Sequence, residues 1–274
     1  MQYKSEEDFL KHYDSSKYEK LSMTVDILIT SISSENNDNY RKLNDKKFSV
    51  LLIKRQNYPF KDKWCLPGGF VGITETLNEA AKRILKEETY LHDIYLEQLY
   101  TFSDINRDPR MRIVSTSYMT VIDKNRLKDK LPANASWFNI SVDETDKQYK
   151  VKLENGEEEI SFTIGKKLSH HTTDKYDFSI IKNDSIAFDH PLVIITGIER
   201  LKNKIEYTDI AFNLMPEYFT LGELQQVYET ILGRKLIIPD FRRKIKDKVI
   251  QTDKVQRIGG HRPSVLYTYK RKIK

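Results

Sequence analysis

Four charged side chains follow a pair of glycines at fixed intervals: Gly68-Gly69, then Glu75, Arg83, Glu87 and Glu88. Glycine lacks a Cβ, so the backbone N–H groups of Leu66-Pro-Gly-Gly-Phe70 can come close to a phosphate. Carboxylate oxygens are the hard ligands that Mg²⁺ prefers, and the adjacent glutamates offer them. Arg83 and Glu87 stand four residues apart, so on a helix the guanidinium can orient that carboxylate. Residues of these types suit a phosphate-bearing ligand, where a divalent cation can neutralise phosphate charge and position an attacking water.

The stretch needs a loop followed by a helix, and the flanking sequence predicts both. Thr76-Leu-Asn-Glu79 is a capping box, followed by good helix formers through Thr89. Upstream, residues 5–20 predict a short charged helix, and Thr24–Ile32 and Phe48–Ile53 read as buried strands separated by a polar loop. Leu96–Phe102 and Arg112–Asp123 read as further strands. Residues 141–185 differ in texture and read as an insertion containing a β-hairpin about Asn155-Gly156. A helix is expected from Ala187 to Lys202. Thr220-Leu-Gly-Glu223 is a second capping box, followed by Leu224, Val227, Tyr228 and Ile231 at helical spacing. Pro239-Asp240 opens a short helix with Phe241 and Ile245 on one face, and two strand-like pieces flank Gly259-Gly-His-Arg-Pro263. Helix, turn, helix and hairpin is the order of a winged helix.

With 39% apolar residues and 11% aromatics, the chain can build real cores, which excludes global disorder. Cys65 is the only cysteine, so neither an internal disulfide nor a cysteine-cluster metal site is available. No apolar run approaches the roughly 20 residues that cross a bilayer, and the N-terminus has no signal-peptide core. A cytoplasmic protein is expected. Its net charge of +6 is uneven: residues 217–274 hold 14 Lys/Arg and 6 Asp/Glu, leaving −2 for residues 1–216. A near-neutral body with a basic C-terminal unit points to a small-ligand domain joined to a polyanion-binding one.

The spacing Gly69-x5-Glu75-x7-Arg83-x3-Glu87-Glu88 resembles the Nudix box, matching seven of its nine specified positions with Leu85 and Leu91. Ile84 stands where the box has a glutamate, and Tyr90 where it has a glycine. Beyond the box, roughly residues 20–140 and 186–274 resemble the Nudix-related transcriptional regulators. That resemblance is carried also by Trp64–Val71, Trp137-Phe138, Ala187-Phe-Asp-His190, Phe219–Tyr228 and Gly260–Tyr267. It implies an α+β chain: a Nudix α/β/α sandwich with a mixed sheet, then a winged helix-turn-helix domain. The implied organisation is an N-terminal helical segment (1–20), a Nudix-like domain (21–200, with the insertion 141–185), a connector (201–216) and a DNA-binding domain (217–274).

The resemblance implies a Nudix-like domain that senses ADP-ribose or a related nucleoside diphosphate derivative, and a winged helix that binds operator DNA of NAD or sugar metabolism. It makes Arg55, Gly68, Gly69, Phe70 and Arg83 candidates for ligand binding. Glu87 and Glu88, with Glu75, are the candidate Mg²⁺ ligands, and Arg83, Glu87 and Glu88 the catalytic candidates. Ile84 removes one carboxylate from that set, so binding is expected to outlive hydrolysis, and Ile84→Glu is expected to return an oxygen ligand. On the DNA side the candidates are Arg242, Arg243, Lys244 and Lys246 on the second helix, with Arg257, His261 and Arg262 in the wing. One winged helix reads a short half-site, so a homodimer on double-stranded DNA is expected.

The alternative is a working Mg²⁺-dependent hydrolase of ADP-ribose-type diphosphates, with Asp104, Asp108 or Asp123 replacing the lost carboxylate. A winged helix can also serve only as a protein-docking module. His170-His171 with Asp174 read as solvated rather than metal-binding, and Cys65 as packing rather than nucleophilic. Tyr58, Phe60 and Phe70 read as core packing or as an adenine stack, and Arg55 and Arg112 as surface or ligand-facing.

Overall fold

The computed structural model describes residues 4–35, 45–91, 94–122, 131–169, 176–256 and 263–270. Helix α1 (Glu6–His12) and a 3-10 turn (Ser15–Lys17) precede the first strand, and neither buries a residue. The body is one large sheet in the order β10-β9-β8-β7-β2-β1-β6-β5. Its strands are β1 (Ser22–Glu35), β2 (Asp45–Lys54), β5 (Glu97–Phe102), β6 (Ile113–Val121), β7 (Ala135–Glu144), β8 (Gln148–Glu154), β9 (Glu159–Leu168) and β10 (Tyr176–Asn183). Two short strands join from the side, β3 (Trp64–Cys65) on β2 and β4 (Gly68–Phe70) on β1. The β1–β6 pairing is parallel and the others are antiparallel, so the sheet is mixed.

Strand β1 shows why both faces must be covered. Val25, Ile27 and Ile29 enter one apolar layer with Ala80, Ala81, Ile84 and Leu85 of helix α2 (Leu77–Thr89). Leu28 and Ile32 enter the opposite layer with Val193, Ile194 and Ile198 of helix α3 (His190–Lys204). This is the two-residue period of a strand buried on both sides. Helix α3 approaches so closely that a Cβ on Gly197 would lie 2.0 Å from Leu28 Cδ2.

The segment expected as an insertion has no break at residue 141, because β7 runs through it. Strands β8 to β10 extend the main sheet as an antiparallel meander, turning at Asn155–Glu158. Tyr149, Val151, Leu153, Ile160, Phe162 and Ile164 are buried in the α3 layer. The alternation that signals a hairpin reflects a sheet face that needs cover, and α3 supplies it.

After α3, a 3-10 turn (Ile210–Leu214) leads into α4 (Leu221–Leu232), α5 (Ile238–Ile245) and the hairpin β11 (Val249–Gln256) and β12 (Ser264–Tyr269). Phe219 pairs with Tyr267 through two backbone hydrogen bonds of 3.0 and 2.8 Å, closing the winged-helix arrangement. Leu224, Val227, Tyr228, Phe241 and Ile245 share one apolar cluster with Phe48, Val50 and Phe212. The C-terminal unit is therefore packed onto the body. Polar contacts tie the unit to the connector as well, from Lys248 to Asp209 at 2.7 Å and from Arg234 to Glu206 at 2.9 Å.

Candidate functional site

Strand β4 pairs with β1 so that Gly68 faces Asp26 and Gly69 faces Val25. A Cβ on Gly68 would sit 2.4 Å from Asp26 Oδ1 and 2.9 Å from Val25 O, so only glycine allows this approach. The loop then enters α2 through a latch. Arg83 donates to both oxygens of Glu75 (3.0 and 2.7 Å), to Glu87 Oε2 (3.0 Å) and to the Phe70 carbonyl (3.0 Å). Glu75 Oε1 also accepts the Gly72 N–H at 2.7 Å. Hydrogen bonds from Arg83, then from Gly72, hold the Glu75 carboxyl down to about 2. Glu75 and Arg83 thus brace the phosphate loop against the helix, a use that occupies the oxygens expected to reach a metal.

Glu88 borders the cavity behind this loop. Burial first, and then the Glu87 charge, push its carboxyl above the ordinary range. Ile84 is 2% exposed within the α2 layer, and its Cδ1 would lie 3.3 Å from a Cβ on Gly69. A glutamate at position 84 would bring a carboxylate into this apolar layer beside Gly69, so Ile84→Glu carries a desolvation cost along with the oxygen ligand it is expected to return. Nudix domains typically use divalent metals, and of the carboxylates expected to serve one, Glu88 borders the cavity while Arg83 engages Glu87 through one oxygen. Glu75 and Glu87 are engaged by Arg83, and among the described residues no three His, Cys, Asp or Glu side chains are grouped to hold a metal ion.

The cavity itself, of about 330 Å³, is built from aromatic and cationic side chains. Phe188, in the left-handed region with φ 55°, packs edge-on to Phe60 at 4.8 Å. The guanidinium of Arg55 lies 4.8 Å from the Phe188 ring centre and that of Arg110 lies 5.8 Å from it; Arg110 also lies 5.2 Å from the Phe70 ring. Asp108 anchors Arg110 through bonds of 2.9 and 2.7 Å. Two positive planar groups stacked on aromatic faces, next to a glycine loop, suit a phosphorylated, planar ligand.

Beneath the loop lies a buried ionic cluster. Arg107 grips Asp189 with two bonds, 2.9 and 2.6 Å, and reaches Asp26 at 3.3 Å. Ser115 Oγ donates to Asp26 at 2.5 Å, and His190 Nδ1 accepts the Leu66 N–H at 2.9 Å. Burial opposes ionisation of Asp26, but the His190 ring, Arg107 and Ser115 outweigh it and hold the carboxyl at about 2. Asp189 and His190 start α3, so the cluster pins that helix to the phosphate loop.

The expected ligand residues Arg55, Gly68, Gly69 and Phe70 all border the cavity, whereas Arg83 stands behind the loop. Arg112 instead holds the carbonyls of Ser103 and Asp104. Tyr58 is exposed, and Asp104 accepts the Asn106 N–H at 2.8 Å. Cys65 is buried, and burial pushes its thiol up to about 12, which suits packing. His170, His171, Asp174 and Asp123 lie outside the described residues. Sequence reading missed Asp26, Arg107, Arg110, Phe188 and His190 as site residues. The charged run from Asp104 to Arg112 was a signal for two of them.

At the C-terminal end, Thr220 caps α4 with Glu223 in the expected capping box. Phe241 and Ile245 anchor α5, while Arg242, Arg243, Lys244 and Lys246 are exposed. Lys246 falls in the 3-10 turn that follows α5. Arg243 pairs with Asp240 at 2.7 Å, and Lys244 lies over the Tyr228 ring at 5.5 Å. Arg257, His261 and Arg262, expected in the wing, lie outside the described residues.

A Nudix fold joined to a winged helix defines the class. Residues 40–158 match the NUDIX domain model, and residues 211–269 match the NrtR DNA-binding winged helix domain. The chain is 33% identical over 270 residues to the ADPR responsive transcriptional repressor NtrR of Acinetobacter baylyi, covering 97% of this chain and 89% of that protein. A MutT/nudix family protein from Enterococcus faecalis superposes with TM-score 0.69 at 27% identity, over 97% of this chain and 94% of that one. Shewanella oneidensis NrtR, solved with a 27mer DNA, superposes with TM-score 0.61 at 25% identity, over 90% of this chain and 93% of that one. The chain belongs to the NrtR family of Nudix-related transcriptional regulators. Among the described residues no helix is long and apolar enough to cross a membrane.

Proposed function

We propose that this protein is a DNA-binding regulator whose Nudix-like body senses ADP-ribose or a closely related nucleoside diphosphate. One observation carries this: a phosphate loop backed by stacked arginines shares a chain, and an apolar core, with an exposed basic helix. In this reading residues 21–200 sense and residues 217–274 bind DNA, with 201–216 joining them. Arg55, Gly68, Gly69 and Phe70, with Arg110, hold the diphosphate ligand, and Arg83 supports the loop. Arg242, Arg243, Lys244 and Lys246 meet DNA, with Arg257, His261 and Arg262 from the wing. The protein acts in the cytoplasm as a homodimer, because a palindrome doubles the short site that one winged helix reads.

Ligand can alter DNA affinity only by binding the DNA-competent and incompetent states unequally. Titration of the chain's own upstream DNA, with and without saturating ADP-ribose, should show a change of about 5–150-fold. Equal affinities would remove the sensing role. A second reading, Mg²⁺-dependent hydrolysis, is favoured only by Glu88 at the cavity beside Glu87. AMP release from ADP-ribose at an ordinary enzyme rate would establish it.

A further inference from the structure

A second cavity adjoins the first, and Lys54, Arg55, Gln56 and Asn134 border both. Its volume is about 590 Å³, against about 330 Å³ for the first. The outer wall comes from Ser136 of β7 and from the β8–β9 turn, where Asn155, Glu157 and Glu158 face it. This turn belongs to residues 141–185, which the family resemblance leaves without a role. It is firmly built. Asn155 Oδ1 accepts the N–H groups of Glu157 and Glu158 at 3.0 and 2.7 Å, and Asn155 Nδ2 donates to Ser136 Oγ at 3.1 Å. Glu158 ties the turn to the body by accepting from Lys54 Nζ at 2.7 Å and Trp64 Nε1 at 2.9 Å.

The lining narrows the class of guest. Lys54 is paired with Glu158 and Arg55 lies over Phe188 of the first cavity, so Asp62 and Glu157 leave this lining unfavourable to a further phosphate. A nucleobase needs an open aromatic face, and Trp64, the aromatic residue of this lining, is 6% exposed. Carboxylates, amides and a serine hydroxyl pair well with hydroxyl groups, which both donate and accept. The geometry points to the second cavity as the seat of a neutral, polyhydroxylated sugar: the far end of a nucleoside diphosphate sugar whose phosphates lie against Arg55 in the first cavity. The assignment rests on the nucleotide-sensing role proposed above and adds which half of the ligand is selected, and by which segment.

Calorimetric titration of the full chain with ADP-ribose and with ADP, which lacks the terminal sugar, tests it. Wild type should bind ADP-ribose more tightly than ADP. The Ser136→Ala, Glu157→Ala double variant, with an unchanged melting temperature, should lose about tenfold in ADP-ribose affinity and nothing in ADP affinity. Glu157→Gln keeps a hydrogen-bonding amide and should retain most of the preference. Equal wild-type affinities for the two ligands, an undiminished preference in the double variant, or equal losses for both ligands would overturn the assignment while leaving nucleotide sensing intact. A folded wild type that binds neither ligand would overturn both.

Discussion

Arg107, beneath the phosphate loop, and Arg242, on α5, carry the same guanidinium in opposite surroundings. The Arg107 side chain is 3% exposed and clamps carboxylates from β1 and from the start of α3. Arg242 stands exposed on a helix whose buried residues are Phe241 and Ile245. A buried cation has given up hydration, and its partners must return that energy through close geometry, so its role is to fix positions. An exposed cation keeps its water and mobile counterions, and releasing them to phosphate is what drives DNA association. Position is fixed where a small ligand must be recognised, and charge is left available where a polymer must be gripped.

The sharpest way to break this contrast is Arg107→Leu, which strands Asp26 and Asp189 without their cation. Urea denaturation should register a loss of about 3–5 kcal/mol; a loss below about 1 kcal/mol would mean the cluster is not held by its charges. Ile84→Glu probes the neighbouring apolar layer and should cost about 3 kcal/mol by thermal melting. It should also leave AMP release from ADP-ribose with Mg²⁺ at background. A stable variant with new turnover would show that position 84 can turn toward the cavity. The mildest effect on folding belongs to Arg242→Ala combined with Arg243→Ala, within about 0.5 kcal/mol of wild type. Fluorescence anisotropy should nonetheless show weaker DNA binding, with the slope of log affinity against log salt reduced by about two. An unchanged slope would take α5 off the phosphate backbone.

Features set by local spacing were legible in the sequence. Both capping boxes form as the threonine–glutamate spacing predicts, and the glycine loop, Arg83 and Glu87 meet within one loop and helix. The cavity floor was not legible, because Asp26, Arg107 and His190 come from a strand, a loop and a helix far apart in the chain. No periodicity encodes which of many charged residues will be drawn together by the parallel β1–β6 pairing and the docking of α3. Likewise, the alternation of Tyr149, Val151 and Leu153 revealed a strand with one buried face, but not that it would extend the main sheet. Ile84 illustrates the same limit: its mismatch to the box was visible, while its inward orientation follows from α2 packing against β1.

The apolar cluster that joins Phe48 and Val50 to Phe212, Val227 and Tyr228 restricts how a signal can move through the molecule. Swinging the two units apart, as a hinge would, exposes that cluster to water. Sliding of α4 across β2 by small side-chain repacking keeps the surface dry, so shear is the motion this architecture permits. Shear displacements are small at the contact, so a signal crossing it reaches the basic helix as a slight rotation of α4 and α5 rather than as a separation of the two units.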